Sequence, residues 1–198
     1  MNAMKLTLAV FGCALLAACG GNAPAATASP PTAAPAPTAV PTATPTALKL
    51  FTSNEGKFAV WMPGEPKKSS QTVDTAGMKI DVTFYTLEIG TGAYLLGYND
   101  YPADKVQQAD AQNILDGARD GGLKNINATL LSETKIEQDG FPGRDITARA
   151  SVQGREYAVR IRVFLVNNRL YQQMVLTEPG KIPDGDIAKF VDSFKLLK

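Results

Sequence analysis

The residues best suited to chemistry are arginines gathered in one stretch of the chain. Six of the seven arginines lie within residues 144–169, where only two residues are acidic. Arg160 and Arg162 are two positions apart in an alternating apolar pattern, so a strand would point both guanidinium groups to one face. Because a guanidinium binds carboxylate or phosphate through paired hydrogen bonds, the pattern predicts an anion-binding or acidic-partner surface that includes Arg160, Arg162 and Arg169. The alternative is a solvated sheet face, or a sheet edge protected by charge.

Aromatic residues form a second candidate site. Tyr94, Tyr98 and Tyr101 lie close to Asp100 in the sequence, so phenols and a carboxylate would meet if they lined one pocket. We therefore place Tyr98 and Tyr101 with the arginines on a candidate binding surface. The alternative is packing within the core and across strands, which is the usual role of alternating aromatics. Trp61 lies in an apolar segment and is predicted to be a core residue.

The composition excludes several kinds of site. The chain has no histidine, so it has no Ser-His-Asp or Cys-His pair and no histidine-ligated zinc. The Asp184-Gly185-Asp186 segment lacks the other ligands of a calcium loop, and no glycine-rich segment has the spacing of a nucleotide-binding loop. We therefore predict no catalytic residue, no metal and no cofactor, although the 19 acidic residues leave many carboxylate pairs open.

The amino terminus has the pattern of an export signal. Lys5 precedes an apolar run over residues 6–16, which is much shorter than the roughly 20 residues needed to cross a membrane. The run ends in the sequence LAAC, which resembles the lipobox of bacterial lipoproteins. This resemblance implies cleavage after residues 1–18 and acyl chains, such as palmitate, on Cys19, so that the protein is extracytoplasmic and anchored to a bacterial cell membrane. The alternative is an ordinary secretory signal that leaves Cys19 as a free thiol.

Residues 19–47 then form a tether. Between residues 20 and 47 there is no charged side chain, and seven of the 13 prolines of the chain lie here among Ala, Thr and Gly. Such a segment has too little apolar surface to offset the entropy of ordering, so we expect a disordered spacer. After processing, acidic and basic residues balance, and a neutral protein lacks the positive field that draws proteins to nucleic acid.

Residues 48–198 have the pattern of one α+β domain, with an antiparallel sheet flanked by helices. Alternating apolar residues separated by turn signals dominate, and helical spacing occurs twice. The first helix should end at Gly121-Gly122, and Asp184 should cap the second. The predicted elements are a strand at residues 58–62, a hairpin of strands around Ile80 and Leu96, a helix over residues 103–119, a meander of strands at 130–138, 144–152, 155–166 and 169–177, and a helix that starts at Pro183.

Several segments of the domain together resemble the PsbP-like fold family, which includes PsbP, Mog-type Ran-binding proteins and the DcrB lipoprotein. The resemblance implies an α/β/α sandwich and an accessory role without a shared catalytic constellation. The segments that carry it are GKFAVWMPGEP at residues 56–66, YNDYP at 98–102, GFPGR at 140–144, RIRVFL at 160–165, NRLY at 168–171 and FVDSF at 190–194.

Three function hypotheses follow from these observations. The first is a non-catalytic binding or accessory module that presents its sheet face to an envelope or extracellular protein partner. The second is an envelope hydrolase that uses carboxylates or a Ser/Lys pair, which would require a deep pocket. The third is a carrier of a small ligand or lipid, which would require an apolar cavity between the sheet and a helix. The sequence does not fix the oligomeric state.

Overall fold

The computed structural model describes residues 47–75 and 78–197. The predictions for the signal segment, for Cys19 and for residues 20–46 of the tether lie outside the described residues. In the part of the chain that is described, no helix combines the length and the apolar character needed to cross a membrane.

A seven-stranded antiparallel sheet forms the centre of the domain. Its strand order is β3-β4-β5-β9-β8-β7-β6, and each hairpin pairs strands that follow one another in sequence. The predicted meander is therefore confirmed, as is the hairpin before it. The strands are β3 (Lys67–Thr75), β4 (Met78–Ile89), β5 (Gly92–Asp100), β6 (Ala128–Gln138), β7 (Phe141–Val152), β8 (Arg155–Val166) and β9 (Arg169–Thr177).

Tight turns join the strands of the meander at the predicted positions. Asp139-Gly140 and Gln153-Gly154 each place two consecutive residues at positive φ, between 51° and 82°. This conformation matches the right-handed twist of the strands that flank a two-residue hairpin turn. The turn chemistry thus fixes the register of β6 with β7 and of β7 with β8.

Two helices cover one face of the main sheet, and a third helix with a small second sheet covers the other. The small sheet has the order β1-β2-β10, with β1 at Lys49–Ser53, β2 at Phe58–Met62 and β10 at Lys195–Leu196. The helices are α1 (Ala103–Gln108), α2 (Ala111–Asn125) and α3 (Asp184–Asp192). The predicted α+β class with an antiparallel sheet is confirmed, and β1, β3 and β10 were not predicted.

Each face of the main sheet has its own hydrophobic core. The first core packs Leu115 and Leu123 of α2 against Ile146, Ile161 and neighbouring residues of the sheet. The second packs Phe58, Val60 and Met62 of β2 and Phe190 and Val191 of α3 against the opposite face. Within the described part of the chain, the members of both cores lie between residues 51 and 196. The alternation of side chains along β5, β8 and β9 makes these strands contribute to both.

The prediction of one helix over residues 103–119 is wrong in two respects. The chain is interrupted at Ala109, which is extended, and Asp110 caps a new helix by accepting a hydrogen bond of 2.7 Å from the N–H of Gln112. The second helix then continues through Gly121-Gly122 to Asn125. Leu123 is buried against the sheet, and its burial offsets the cost of two helical glycines, which is about 1 kcal/mol each.

Two further predictions are corrected at single residues. Trp61 is not a core residue, since 44% of its surface is exposed while its neighbours Val60 and Met62 are fully buried. The alternation along β2 sends Val60 and Met62 inward, so Trp61 must point outward. Asp184 is the first residue of α3 rather than its cap, and the cap position belongs to Pro183, which has no side-chain hydrogen bond to offer.

Candidate functional site

The candidate site lies where β5 ends and β9 begins. Asp100 and Arg169 are cross-strand partners in the register of these two strands. The Nε and Nη2 atoms of Arg169 donate to Oδ1 and Oδ2 of Asp100, each at 2.6 Å. This paired geometry fixes the plane of the guanidinium group and the orientation of the carboxylate.

Tyr98 supports the guanidinium group from below. It lies two residues before Asp100 on the same face of β5, and the Arg169 Cζ atom is 4.7 Å from the centre of its ring. A cation held over an aromatic face is attracted by the ring quadrupole. The Tyr98 ring is itself held by Tyr171 and Phe58, at centroid distances of 6.4 and 6.5 Å. The site therefore rests on the second hydrophobic core.

The loop between β1 and β2 crosses over this end of the sheet and is fastened to it. Arg169 Nη1 donates to the Glu55 carbonyl at 3.2 Å, and the Tyr171 hydroxyl donates to the Gly56 carbonyl at 2.8 Å. The Glu55 carboxylate pairs with Lys68 of β3. A Cβ atom at position 56 would lie 2.4 Å from the Phe58 ring, so the close approach requires glycine. We call Glu55, Lys68, Tyr98, Asp100 and Arg169 the Arg169 site.

The pKa values of the site keep its charges in place. The hydrogen bonds that Arg169 donates to the Asp100 carboxylate raise the pKa of its guanidinium above the ordinary value. The hydrogen bond from Lys68, followed by one from Tyr98, lowers the pKa of the Glu55 carboxyl. Burial raises the pKa of the Tyr98 phenol. At neutral pH the site thus combines fixed charges of both signs with an uncharged phenol.

The site keeps unused hydrogen-bonding capacity at the surface. A guanidinium has five N–H donors, and the contacts described above use three of those of Arg169. Each Asp100 oxygen accepts one bond from Arg169 and has room for another. The side chains of Asp100, Lys68 and Glu55 are about half exposed or more. The arrangement is suited to binding a polar partner without first ordering its own side chains.

The predicted tyrosine pocket is not formed, because the three tyrosines lie in different places. Tyr98 belongs to the Arg169 site. Tyr101 packs against the core on the opposite face of the sheet, where its backbone N–H donates to the Asn168 carbonyl at 2.8 Å. Tyr94 is buried edge-on against Phe190 of α3, with the ring centres 5.2 Å apart. Of the predicted tyrosines, only Tyr98 joins Arg169.

Arg160 and Arg162 share one face of β8, as the spacing predicts, but carboxylates of this chain already bind them. Both guanidinium groups donate to Asp145 of β7, at 2.6 Å from Nη2 in each case. Arg162 also donates from Nη1 to Asp192 at 2.8 Å and to the Val191 carbonyl at 3.0 Å. This arginine thereby fastens the end of α3 to the sheet, so its contacts are those of a structural residue.

A buried arginine that the sequence did not single out joins α2 to the sheet. The Arg144 side chain is only 3% exposed and contacts Glu133 of β6 at 2.8 Å and Asp116 of α2 at 3.1 Å. Arg119 of α2 contacts the same Glu133 at 2.7 Å. The alternating charges of this network compensate one another, as a buried charge requires. No local sequence signal marks it, because its members come from three elements.

Two cavities bear on whether the domain holds a small ligand or a lipid. An apolar cavity of about 20 Å³ lies between Leu95, Ile126 and Leu176, which is room for about one water molecule. An open groove of about 660 Å³ runs between Phe141 and Lys195 and is lined by polar and apolar groups in similar measure. The first is too small for a lipid, and the second is a surface feature beside β10.

Comparison with known proteins gives one structure that is informative about the fold. The solution structure of the cyanobacterial PsbP protein (CyanoP) from Synechocystis matches with a TM-score of 0.52 and 12% identity. The match covers 78% of this chain and 95% of that chain. The domain has a PsbP-like fold. At this identity the likeness shows the fold alone, so the function of the Arg169 site must be argued from its own geometry.

Other comparisons add little to this result. A protein from Bacteroides thetaiotaomicron matches with a TM-score of 0.44 and 12% identity, covering 76% of this chain and 48% of that chain. A Pseudomonas aeruginosa protein of unknown function, described as a putative regulator, matches with a TM-score of 0.36 and 14% identity, covering 71% and 90%. Neither likeness is strong enough to carry an argument. No protein-family model matches this chain, and no curated protein matches it.

Proposed function

We propose that the protein is a lipid-anchored, extracytoplasmic binding module that works without catalysis and holds an envelope or extracellular protein partner at the Arg169 site. The observation that carries the proposal is the fixed geometry of Arg169. Its guanidinium is bound on one edge by Asp100 and lies over the Tyr98 ring, and the side chain is 23% exposed. Arginine and tyrosine are enriched among the residues that dominate protein interfaces.

The physical advantage of such a site is that its order precedes binding. Immobilising a flexible side chain at an interface costs about 0.5–1.5 kcal/mol. Arg169, Tyr98 and Asp100 are already held by one another, so a partner does not bear that cost. The charges of the site have both signs, which favours a polar protein surface with paired donors and acceptors over a simple anion.

The export signal and the tether supply the other half of the proposal. Cys19 would carry the lipid, and 28 residues would separate it from the domain. As a flexible coil such a segment spans about 30 Å on average, and about 90 Å if fully extended as polyproline II. The tether would therefore allow the Arg169 site to reach partners anywhere from the membrane surface out to that distance.

Mass spectrometry of the native protein tests the anchor. We expect the mature chain to begin at Cys19 and to carry diacylglycerol on its thiol. A Cys19→Ser variant should leave the membrane fraction. Retention of residues 1–18, or an unmodified thiol, would remove the anchor from the proposal but would leave the binding site untouched.

Crosslinking and affinity capture from the native envelope test the binding site. The Arg169→Ala variant should lose captured partner at least tenfold, since truncation of an interface arginine typically costs about 2 kcal/mol or more. Arg169→Lys should lose most of it, because lysine lacks the paired geometry. Arg155→Ala is the matched control, since the Arg155 side chain is 57% exposed and its ion pair with Glu178 is 3.5 Å long. Equal capture by the Arg155 and Arg169 variants would refute the site.

A further inference from the structure

The small sheet exposes a pair of large apolar side chains on its outer face. Leu50 of β1 and Trp61 of β2 are directly opposite in the strand register. They are 57% and 44% exposed, respectively. The inward-facing residues of these strands, among them Phe58, Val60 and Met62, fill the second core. The outward position of Leu50 and Trp61 is thus fixed by the burial of their neighbours.

A lysine of the third strand adds a positive charge to this face. The three strands of the small sheet contain no acidic residue, and Lys49 is paired with inward-facing Met62, so it lies on the opposite face. Asp139 and Asp192 line a groove beside Lys195, and Asp192 is already paired with Arg162. Lys195 is paired with Ala59 in β2, which places it on the same outer face as Trp61. The backbone N–H of Trp61 donates to the Ser193 hydroxyl at 2.9 Å, so this face is also tied to the end of α3. We call Leu50, Trp61 and Lys195 the outer face.

We propose that the outer face docks onto the headgroup region of an anionic lipid bilayer. Tryptophan is favoured at the boundary between hydrocarbon and water, because its ring is apolar and its N–H is polar. A lysine close to an anionic membrane is attracted by the negative potential of the lipid surface. The surface joins both chemistries within one small sheet. It is separate from the Arg169 site. Docking through it would orient the domain on the membrane, in addition to the lipid anchor that the proposed function includes.

The position of β1 in the chain favours a membrane over other occupants. The tether that leads from Cys19 enters the domain at β1, which is an edge strand of this sheet. This step rests on the proposed anchor at Cys19: a linker of this length would hold the domain at a millimolar effective concentration near the membrane, so that a weak surface affinity is enough for docking. A second copy stacked on the same face would bring two Lys195 side chains together, and like charges oppose each other.

Vesicle binding by the unacylated chain that starts at Gly20 tests the proposal without depending on the anchor. This chain retains residues 51–196, from which both cores described above are built. Trp61 is the only tryptophan, so its fluorescence reports on the outer face alone. With vesicles of phosphatidylcholine and phosphatidylglycerol we expect a blue shift and co-sedimentation, both reduced at least threefold in 0.5 M salt. Absence of both signals would overturn the proposal, and so would equal binding to pure phosphatidylcholine.

Substitutions distinguish vesicle binding through the outer face from non-specific adsorption of exposed apolar residues. Leu50→Ser and Lys195→Glu should each lower vesicle partitioning at least threefold. Leu131→Ser is the matched control, since Leu131 is 58% exposed on β6, an edge strand of the main sheet rather than of the small sheet, and should leave partitioning unchanged. Equal losses from Leu50→Ser and Leu131→Ser would overturn the proposal. So would a concentration-dependent dimer that shifts Trp61 fluorescence without lipid, which would assign the face to a second copy.

Discussion

At the scale of single residues, the charges of this domain are compensated by partners that are distant in sequence. Six arginines crowd residues 144–169, yet Arg144, Arg162 and Arg169 find carboxylates outside that stretch, at Asp116, Asp192 and Asp100. The local sequence shows the excess of arginines, but it does not show which distant carboxylates lie beside them in the folded domain. The pattern of arginines was therefore a sound guide to the location of charge and a poor guide to which guanidinium remains available.

Tyr94 provides a pH-dependent test of the second core. Burial, followed by the nearby Asp186 charge, raises the pKa of Tyr94 to about 12, compared with about 10 in an unfolded chain. Below pH 10 the phenol is neutral in both states and its contribution to stability is complete. Between pH 10 and 12 the unfolded state loses the proton first, so the free energy of unfolding should fall by about 2 kcal/mol from this residue.

Urea unfolding of the wild type and of a Tyr94→Phe variant at pH 9 and pH 11.5 measures this effect. The variant should lose about 2 kcal/mol less than the wild type across the interval. Equal pH dependence in the wild type and the Tyr94 variant would contradict the assignment.

At the scale of elements, the sequence predicted those strands whose signal is local. The meander has alternating residues and turn residues at every corner, so β6 to β9 were found nearly in full. β1 and β10 are short and gain their order from pairing with β2, which no local pattern encodes. The sequence does not show which residues of β2 face the core, because every residue of FAVWM is apolar. Only the packing of the second core decides that Trp61 faces outward.

The Arg169 site shows the same division between local and distant information. Tyr98, Asp100 and Arg169 stood out from strand ends and residue type. Glu55 and Lys68 did not, because their contact with the site depends on the β1–β2 loop crossing the sheet. The Glu55 carbonyl accepts a hydrogen bond from Arg169, which lies 114 positions later in the chain.

Two glycine substitutions should have opposite effects on element stability. Gly117 lies in α2 and Gly154 lies in the β7–β8 turn at a φ of 76°, and a Cβ atom would meet no heavy atom within 4 Å at either position. Gly117→Ala should raise the free energy of unfolding by up to about 1 kcal/mol through helix propensity. Gly154→Ala should lower it by about 1 kcal/mol, since positive φ is costly for a residue with a Cβ. Urea titration measures both, and shifts of the same sign would contradict this account.

At the scale of the whole molecule, one sheet serves two cores. Leu95, Leu165 and Met174 point into the first core from β5, β8 and β9, while Leu96, Phe164 and Val175 point into the second from the same strands. A change in one core therefore acts on strands that hold the other. The binding site and the outer face both depend on the second core and thus also on α2 across the sheet.

Because the two cores share the strands of one sheet, we expect the layers on both faces of that sheet to unfold together rather than independently. Leu115 of α2 is fully buried in the first core, whereas Trp61 lies in the small sheet beyond the second. Leu115→Ala should cost about 2–5 kcal/mol, as is typical of a large-to-small change in a core. If the layers unfold together, Trp61 fluorescence and far-UV circular dichroism should show one coincident transition, shifted equally by the substitution. A Trp61 transition that stays at its wild-type midpoint would mean that the small sheet and α3 unfold on their own. In that case the Arg169 site would not depend on α2.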